Sequence, residues 1–176
     1  MYGWHFCNTT LRDGSPIPDD DVWLPPINNV VLCKRGYHGS AHPFDALQYA
    51  PGSLLAYCEY RGELVTGGDK FCASERRILC RMDAAEMLRY FARMQALSVV
   101  HLWDAPDVVL DYLASGDASQ RAAAWDAARA AARAAAREAS AWAAAARGAA
   151  RGDFASLVYE CFEPVVNADG SPKVSK

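Results

Sequence analysis

Of the 31 residues from Gln120 to Ala150, 19 are alanine, and arginines at 121, 129, 133, 137 and 147 supply most of the interruptions. Alanine loses no side-chain entropy on entering a helix and arginine loses little, so this stretch predicts a helix almost regardless of its surroundings. A helix of that length would extend roughly 46 Å, more than the diameter of a small domain, and is expected either to pack on the preceding domain or to project from it. Arg129, Arg133 and Arg137 recur every four residues and form a stripe that drifts by about 40° per step. Between Arg121 and Arg151, six arginines stand against Asp126 and Glu138, a local charge of +4 in a chain whose net charge is −3. The remainder carries −7, so the molecule is polarised.

With 176 residues, 52% of them hydrophobic, the chain can bury a core without metal or disulfide support. Arginines interrupt every apolar run before it reaches a membrane span, so no membrane association is expected. The opening Met1-Tyr2-Gly3-Trp4-His5 lacks the basic flank and apolar run of a secretory signal, and the chain is expected to stay in the cytoplasm where it is made. Cysteines at 7, 33, 58, 72, 80 and 161 form no Cys-x-x-Cys pair, the spacing by which short loops hold structural zinc, so no metal site is expected. Cys58 and Cys80 lie in apolar stretches, where a thiol behaves as a small hydrophobe.

The first half reads as strands and turns. Tyr2–Cys7 is a strand, followed by an irregular loop rich in Asp, Gly and Pro up to Pro25-Pro26. A second strand is expected from Val30 through Cys33 to Gly36, and a short helix from Phe44 to Tyr49 after Ser40-Ala41-His42-Pro43. Leu54–Tyr60 and Leu64–Thr66 read as strands joined by a turn at Arg61-Gly62-Glu63, Gly67-Gly68-Asp69 makes the next turn, and Ser74 to Met82 is expected to be a further strand. Asp83 and Glu86 have capping-box spacing and start a helix at Ala84. Another helix opens at Ala105-Pro106-Asp107 and ends at Ser115-Gly116. Gly148 and Gly152 suggest a break before a last helix, Phe154 to Phe162, and the tail from Val165 is expected to fray. The expected fold class is α+β: a small, mainly antiparallel sheet in the N-terminal half, then helices including the long alanine-rich one. The expected division is an α+β domain over 1–116, a helical extension over 117–163 and a flexible tail over 164–176.

Two places carry functional expectations. Arg129, Arg133 and Arg137 present guanidinium groups suited to carboxylates or phosphates, with Trp125 and Trp142 available either to anchor a partner or to pin the helix to its own domain. An acidic protein surface is the expected partner. Nucleic acid fits less well, because the chain is acidic overall and the stripe lacks interleaved lysines and aromatics. Alanine also permits close helix pairing, and hence a homodimer. The second place is Gly36-Tyr37-His38-Gly39-Ser40, where a histidine between glycines suits acid, base or ligand-binding work, with Glu59, Glu63 or Glu75 as carboxylate partners.

His38-Gly39-Ser40 resembles a motif of ADP-ribosyltransferases, in which the histidine contacts the NAD ribose, a tyrosine stacks on nicotinamide and a later glutamate assists transfer. That resemblance implies NAD as cofactor and, by order along the chain, Tyr57 or Tyr60 and Glu75 in the later roles; His5 is a competing match for the histidine. A broader resemblance runs through Cys33-Lys34-Arg35-Gly36-Tyr37-His38-Gly39-Ser40, Pro43 to Ser53, Glu59 to Asp83, Leu88 to Arg93 and the alanine-rich stretch. These segments are similar to an uncharacterised family of phage and prophage proteins, which implies a mobile-element setting. The leading expectation is therefore a phage accessory protein, without enzymatic activity or cofactor, that binds a host or phage macromolecule, as an inhibitor of a bacterial defence system such as CRISPR would. The alternatives are an ADP-ribosyltransferase-like enzyme and a self-associating structural protein.

Overall fold

A computed structural model describes residues 1–11, 14–135, 143–163 and 165–173. The fold is α+β, with elements in the order β1 (Tyr2–Cys7), β2 (Tyr37–Gly39), α1 (Pro43–Leu47), β3 (Leu54–Thr66), β4 (Phe71–Asp83), α2 (Ala85–Val99), α3 (Asp107–Ser115), α4 (Arg121–Ala135) and α5 (Ala143–Cys161). The chain divides into two compact units, Met1–Ala85 with Phe154–Lys176, and Glu86–Asp153.

The first unit is built on one antiparallel sheet of strand order β1-β3-β4-β2. Its outer strands meet again. Trp4 N–H donates to the Ser40 carbonyl at 2.8 Å and Ser40 N–H to the Trp4 carbonyl at 3.0 Å, so hydrogen bonding runs full circle. Residues paired across strands share a face, and Cys58, Tyr60 and Ile78 turn into the enclosed space with Ala56, Phe71 and Ala73. On the other face Trp4 packs against Tyr57 with the rings tilted and 4.7 Å apart and meets the edge of Phe162 at 4.9 Å, while Phe44 meets Phe154 at 6.0 Å.

Closure leaves no room for side chains at two points. A Cβ on Gly3 would stand 2.7 Å from Phe71 Cζ, and one on Gly39 would stand 2.6 Å from Tyr60 Cζ. The expected irregular loop protects a strand edge, because Asp21, Leu24 and Ile27 donate backbone hydrogen bonds to Ile78, Arg76 and Ser74. It covers the part of β4 that the three-residue β2 does not reach, which keeps that edge from pairing with another chain.

Four expectations need correction. Residues 30–36 form a tight turn instead of a strand, bridged between Val31 and Arg35, with Cys33 at φ 65°; the strand begins only at Tyr37. Arg61-Gly62-Glu63 is a bulge within one 13-residue strand, not a turn. Gly62 at φ 80° accommodates it, and Ser74 Oγ accepts the Glu63 N–H at 3.0 Å. The hairpin turn lies at 67–70, as Gly67-Gly68-Asp69 predicts, where Gly67 N–H donates to the Lys70 carbonyl at 2.7 Å. Helix α5 runs through Gly148 and Gly152 without a break; each glycine costs about 1 kcal/mol relative to alanine, and the alanines around them together with the buried Phe154 and Val158 outweigh that cost. Finally, residues 165–173 are folded: Val166 is fully buried and bridges Pro172.

The second unit is helical. Val109, Leu113 and Ala124 form its centre, with Leu97, Trp103, Ala127 and Ala128 packed around them. Gly116 ends α3 in the left-handed conformation, as its position predicts. Asp83 marks the start of α2, one residue later than expected, by accepting the Ala85 N–H at 2.9 Å, and Glu86 also pairs with Arg89. Both halves of the alanine-rich stretch are helical where described, over 121–135 and from 143 onward, and the middle of the expected rod, 136–142, lies outside the described residues.

The glycines separate two opposite effects. Gly39→Ala should destabilise the protein by about 1–3 kcal/mol through overpacking, whereas Gly148→Ala, with nothing within 4 Å of its Cβ position, should stabilise it by about 0.5–1 kcal/mol. Urea unfolding followed by circular dichroism measures both, and a neutral Gly39→Ala would contradict the closure described.

Candidate functional site

The glycine-flanked His38 segment lies beside a cavity of about 310 Å³ in the first unit. Strand β1 supplies Trp4, His5 and Phe6 to its wall, the turn before β2 supplies Cys33, β2 and its continuation supply His38, Gly39 and Ser40, and Ala46, Tyr49 and Lys70 complete it. The tight turn explains the position of His38. With Cys33 in the left-handed conformation, its N–H points back and donates to His38 Nε2 at 2.9 Å. A neutral imidazole has one donor and one acceptor, so the second hydrogen bond, to the Gly36 backbone, is made by Nδ1–H. Both ring nitrogens are thus held by backbone. Burial, with the charges of Lys70 and Arg76 adding to it, keeps the His38 pKa below its ordinary value against the opposing Gly36 hydrogen bond.

The polar groups left facing the cavity are cationic or neutral. Lys70 places its ammonium 3.9 Å from the Tyr49 ring centre, and hydrogen bonds to the Cys33 and Tyr49 side chains raise its pKa. The Tyr49 hydroxyl donates to Asp69 at 2.6 Å. His5 is held neutral, its pKa pushed well below the ordinary value by burial first and then by the Arg76 and His38 charges. Among the described residues no carboxylate lines this cavity, so these side chains offer no acid–base pair of the kind a carboxylate and histidine make.

The other residues matched to the transferase roles lie elsewhere. Tyr57 is buried against Trp4 and its hydroxyl reaches toward the Gly170 carbonyl at 3.5 Å. Glu75 is paired with Arg61 at 2.8 Å, and neither residue lines the cavity with His38. Tyr60 is fully buried and donates to the His38 carbonyl at 3.2 Å. Among the described residues, no group of three His, Cys, Asp or Glu side chains is placed to hold a metal ion.

A residue that sequence reasoning missed stands at the centre of the unit. Arg76 is 5% exposed, pairs across the sheet with the inward Tyr60, and has no ion pair among the described residues. Its guanidinium lies 5.4 Å from the Tyr37 ring centre, and its Nε is buried without a hydrogen-bond partner among the described residues. Alternation carries the signal: Glu75 and Arg77 on either side form outward ion pairs with Arg61 and Glu59, so the arginine between them turns inward.

In the second unit, α4 buries Ala124 and partly buries Ala127 and Ala128 against α3. The opposite side carries Trp125, 65% exposed, one turn from the exposed Arg121 and Arg129. Trp125 therefore does not pin α4 to its own unit. Arg133 continues the spacing on the α4 backbone, and Arg137 and Trp142 lie outside the described residues. No helix among the described residues is long and apolar enough to cross a membrane.

His5 and His38 give the protein a pH dependence of definite sign. In the unfolded chain each takes up a proton as pH falls through about 6.5, whereas in the folded chain each resists protonation to a lower pH. Their contribution to stability is complete above the ordinary value and declines as pH falls from there toward the folded pKa values. The urea midpoint should therefore drop between pH 7.5 and pH 5.5, roughly the range in which histidines titrate, and drop less in His5→Gln. Equal drops in the two proteins would show that His5 is not responsible.

The family model of a domain of unknown function, DUF7666, matches residues 1–90, which takes in the four strands, α1, the cavity and the start of α2. No curated protein and no solved structure matches the chain. With 90 of its 176 residues matched, the chain belongs to the DUF7666 family.

Proposed function

We propose that the chain is a non-enzymatic accessory protein of a phage or other mobile element, acting in the cytoplasm of a bacterial host by binding a macromolecule through α4. The observation that carries this reading is Trp125, the most exposed large hydrophobic side chain among the described residues, one helical turn from Arg129. Tryptophan and arginine are the residues most enriched at binding hot spots, and an exposed tryptophan of this size favours burial against a partner. The guanidinium groups select an acidic protein surface. The resemblance to phage and prophage proteins supplies the setting, and within it inhibition of a defence system such as CRISPR is the role proposed. The same geometry argues against His38 as a catalytic group, because both of its ring nitrogens are engaged by backbone; no cofactor is required.

The test is affinity capture from a lysate of phage-infected bacteria. The wild type should retain a specific protein at low salt and release it as salt screens the exposed arginines. Trp125→Ala and Arg129→Glu should each weaken capture by roughly tenfold or more, with unchanged thermal unfolding because both residues are exposed. Capture that survives both substitutions would end the reading; capture abolished by nuclease would replace it with nucleic-acid binding, and a monomer–dimer shift abolished by Trp125→Ala would replace it with self-association.

A further inference from the structure

We propose that a groove of about 420 Å³ in the second unit, lined by Glu86, Arg89, Tyr90, Arg93, Tyr112 and Arg121, binds a phosphate monoester. Residues 86, 89, 90 and 93 follow the i, i+3, i+4, i+7 spacing that places them on one face of α2; α3 contributes Tyr112 and α4 begins at Arg121. Among the described residues the sole carboxylate in this wall, Glu86, is bound by Arg89. That leaves two guanidinium groups, Arg93 and Arg121, with no ion pair among the described residues.

Arg93 is held ready for a ligand. Its Nη1 donates to the Leu113 carbonyl at 3.1 Å, and its guanidinium packs so closely on Gly116 that a Cβ there would fall 2.5 Å from Cζ. The absent side chain at Gly116 is what admits it, and the same glycine ends α3. A guanidinium fixed in place loses less freedom when it takes up a ligand, and its planar fork matches paired phosphate oxygens. Two uncompensated positive charges suit a phosphate monoester, which carries about −1.5 to −2 at pH 7, better than a single carboxylate. The tyrosines add a hydroxyl donor and an aromatic face, and the exposed Tyr90 ring lies 5.8 Å from the Arg93 guanidinium.

This inference does not rest on the α4 stripe, since neither Trp125 nor Arg129 lines the groove. Phenyl phosphate, inorganic phosphate and benzoate, titrated into the full chain and followed by calorimetry and backbone amide shifts, test it. Phenyl phosphate should bind saturably with a Kd of roughly 1 mM or tighter, benzoate more weakly, and inorganic phosphate between the two or equal to phenyl phosphate if only the arginines contribute. Arg93→Gln combined with Arg121→Gln should weaken binding by about tenfold or more. Arg121→Gln alone, at an exposed position, gives a several-fold loss in a protein whose fold is not in question, and Arg129→Gln leaves binding unchanged. Absence of saturable binding, benzoate binding as tightly as phenyl phosphate, or an equal loss in Arg129→Gln would each overturn the site.

Discussion

Two backbone hydrogen bonds between Trp4 and Ser40 decide the shape of the first unit. Without them β1 and β2 would be the free edges of a four-stranded sheet; with them the strands enclose Tyr60 and Phe71. Close approach at that seam is possible because Gly3 and Gly39 carry no side chains. The same pair fixes the His38 segment beside β1, which brings His5 and His38 to one cavity. The cavity is thus a product of closure, while its histidine is engaged in holding a turn.

The enclosed Arg76 is the least ordinary feature of the interior. Desolvating a guanidinium without a counter-charge costs several kcal/mol, only part of which hydrogen bonds return. Its charge acts on its neighbours: together with burial it keeps His5 neutral and opposes the rise that burial gives the Cys7 and Cys58 thiols, Cys58 still being pushed up to about 11. For His5, burial and the Arg76 charge act in the same direction, whereas for the two thiols burial outweighs the arginine.

Local rules reached much of this architecture. Tyr2–Cys7, the strand ending near Met82, the Asp83 start of α2 and the Gly116 end of α3 follow from alternation and capping, which act over a few residues. What they missed depends on partners far away in sequence. The bulge at Gly62 exists because Ser74 fills it, and the edge cover at Asp21 to Ile27 exists because β2 is short. Glycine at 148 and 152 signalled a break that strong neighbouring helix propensity overrides. At the candidate sites, sequence spacing put forward Trp125, Arg129 and the His38 segment, whereas only the fold shows that Arg93 and Arg121, 28 positions apart in the chain, line one groove.

The first unit takes its residues from two separated parts of the chain, with the whole second unit inserted between Ala85 and Phe154. Trp4 is covered by Tyr159 and Phe162, and Val158 and Val166 are fully buried in the same body. During synthesis the sheet must therefore leave the ribosome with this aromatic face bare and wait for some seventy further residues before its cover emerges, at about 5–20 residues per second. The helical insert is complete first, so the half of the chain that is made earliest is the last to reach its finished state.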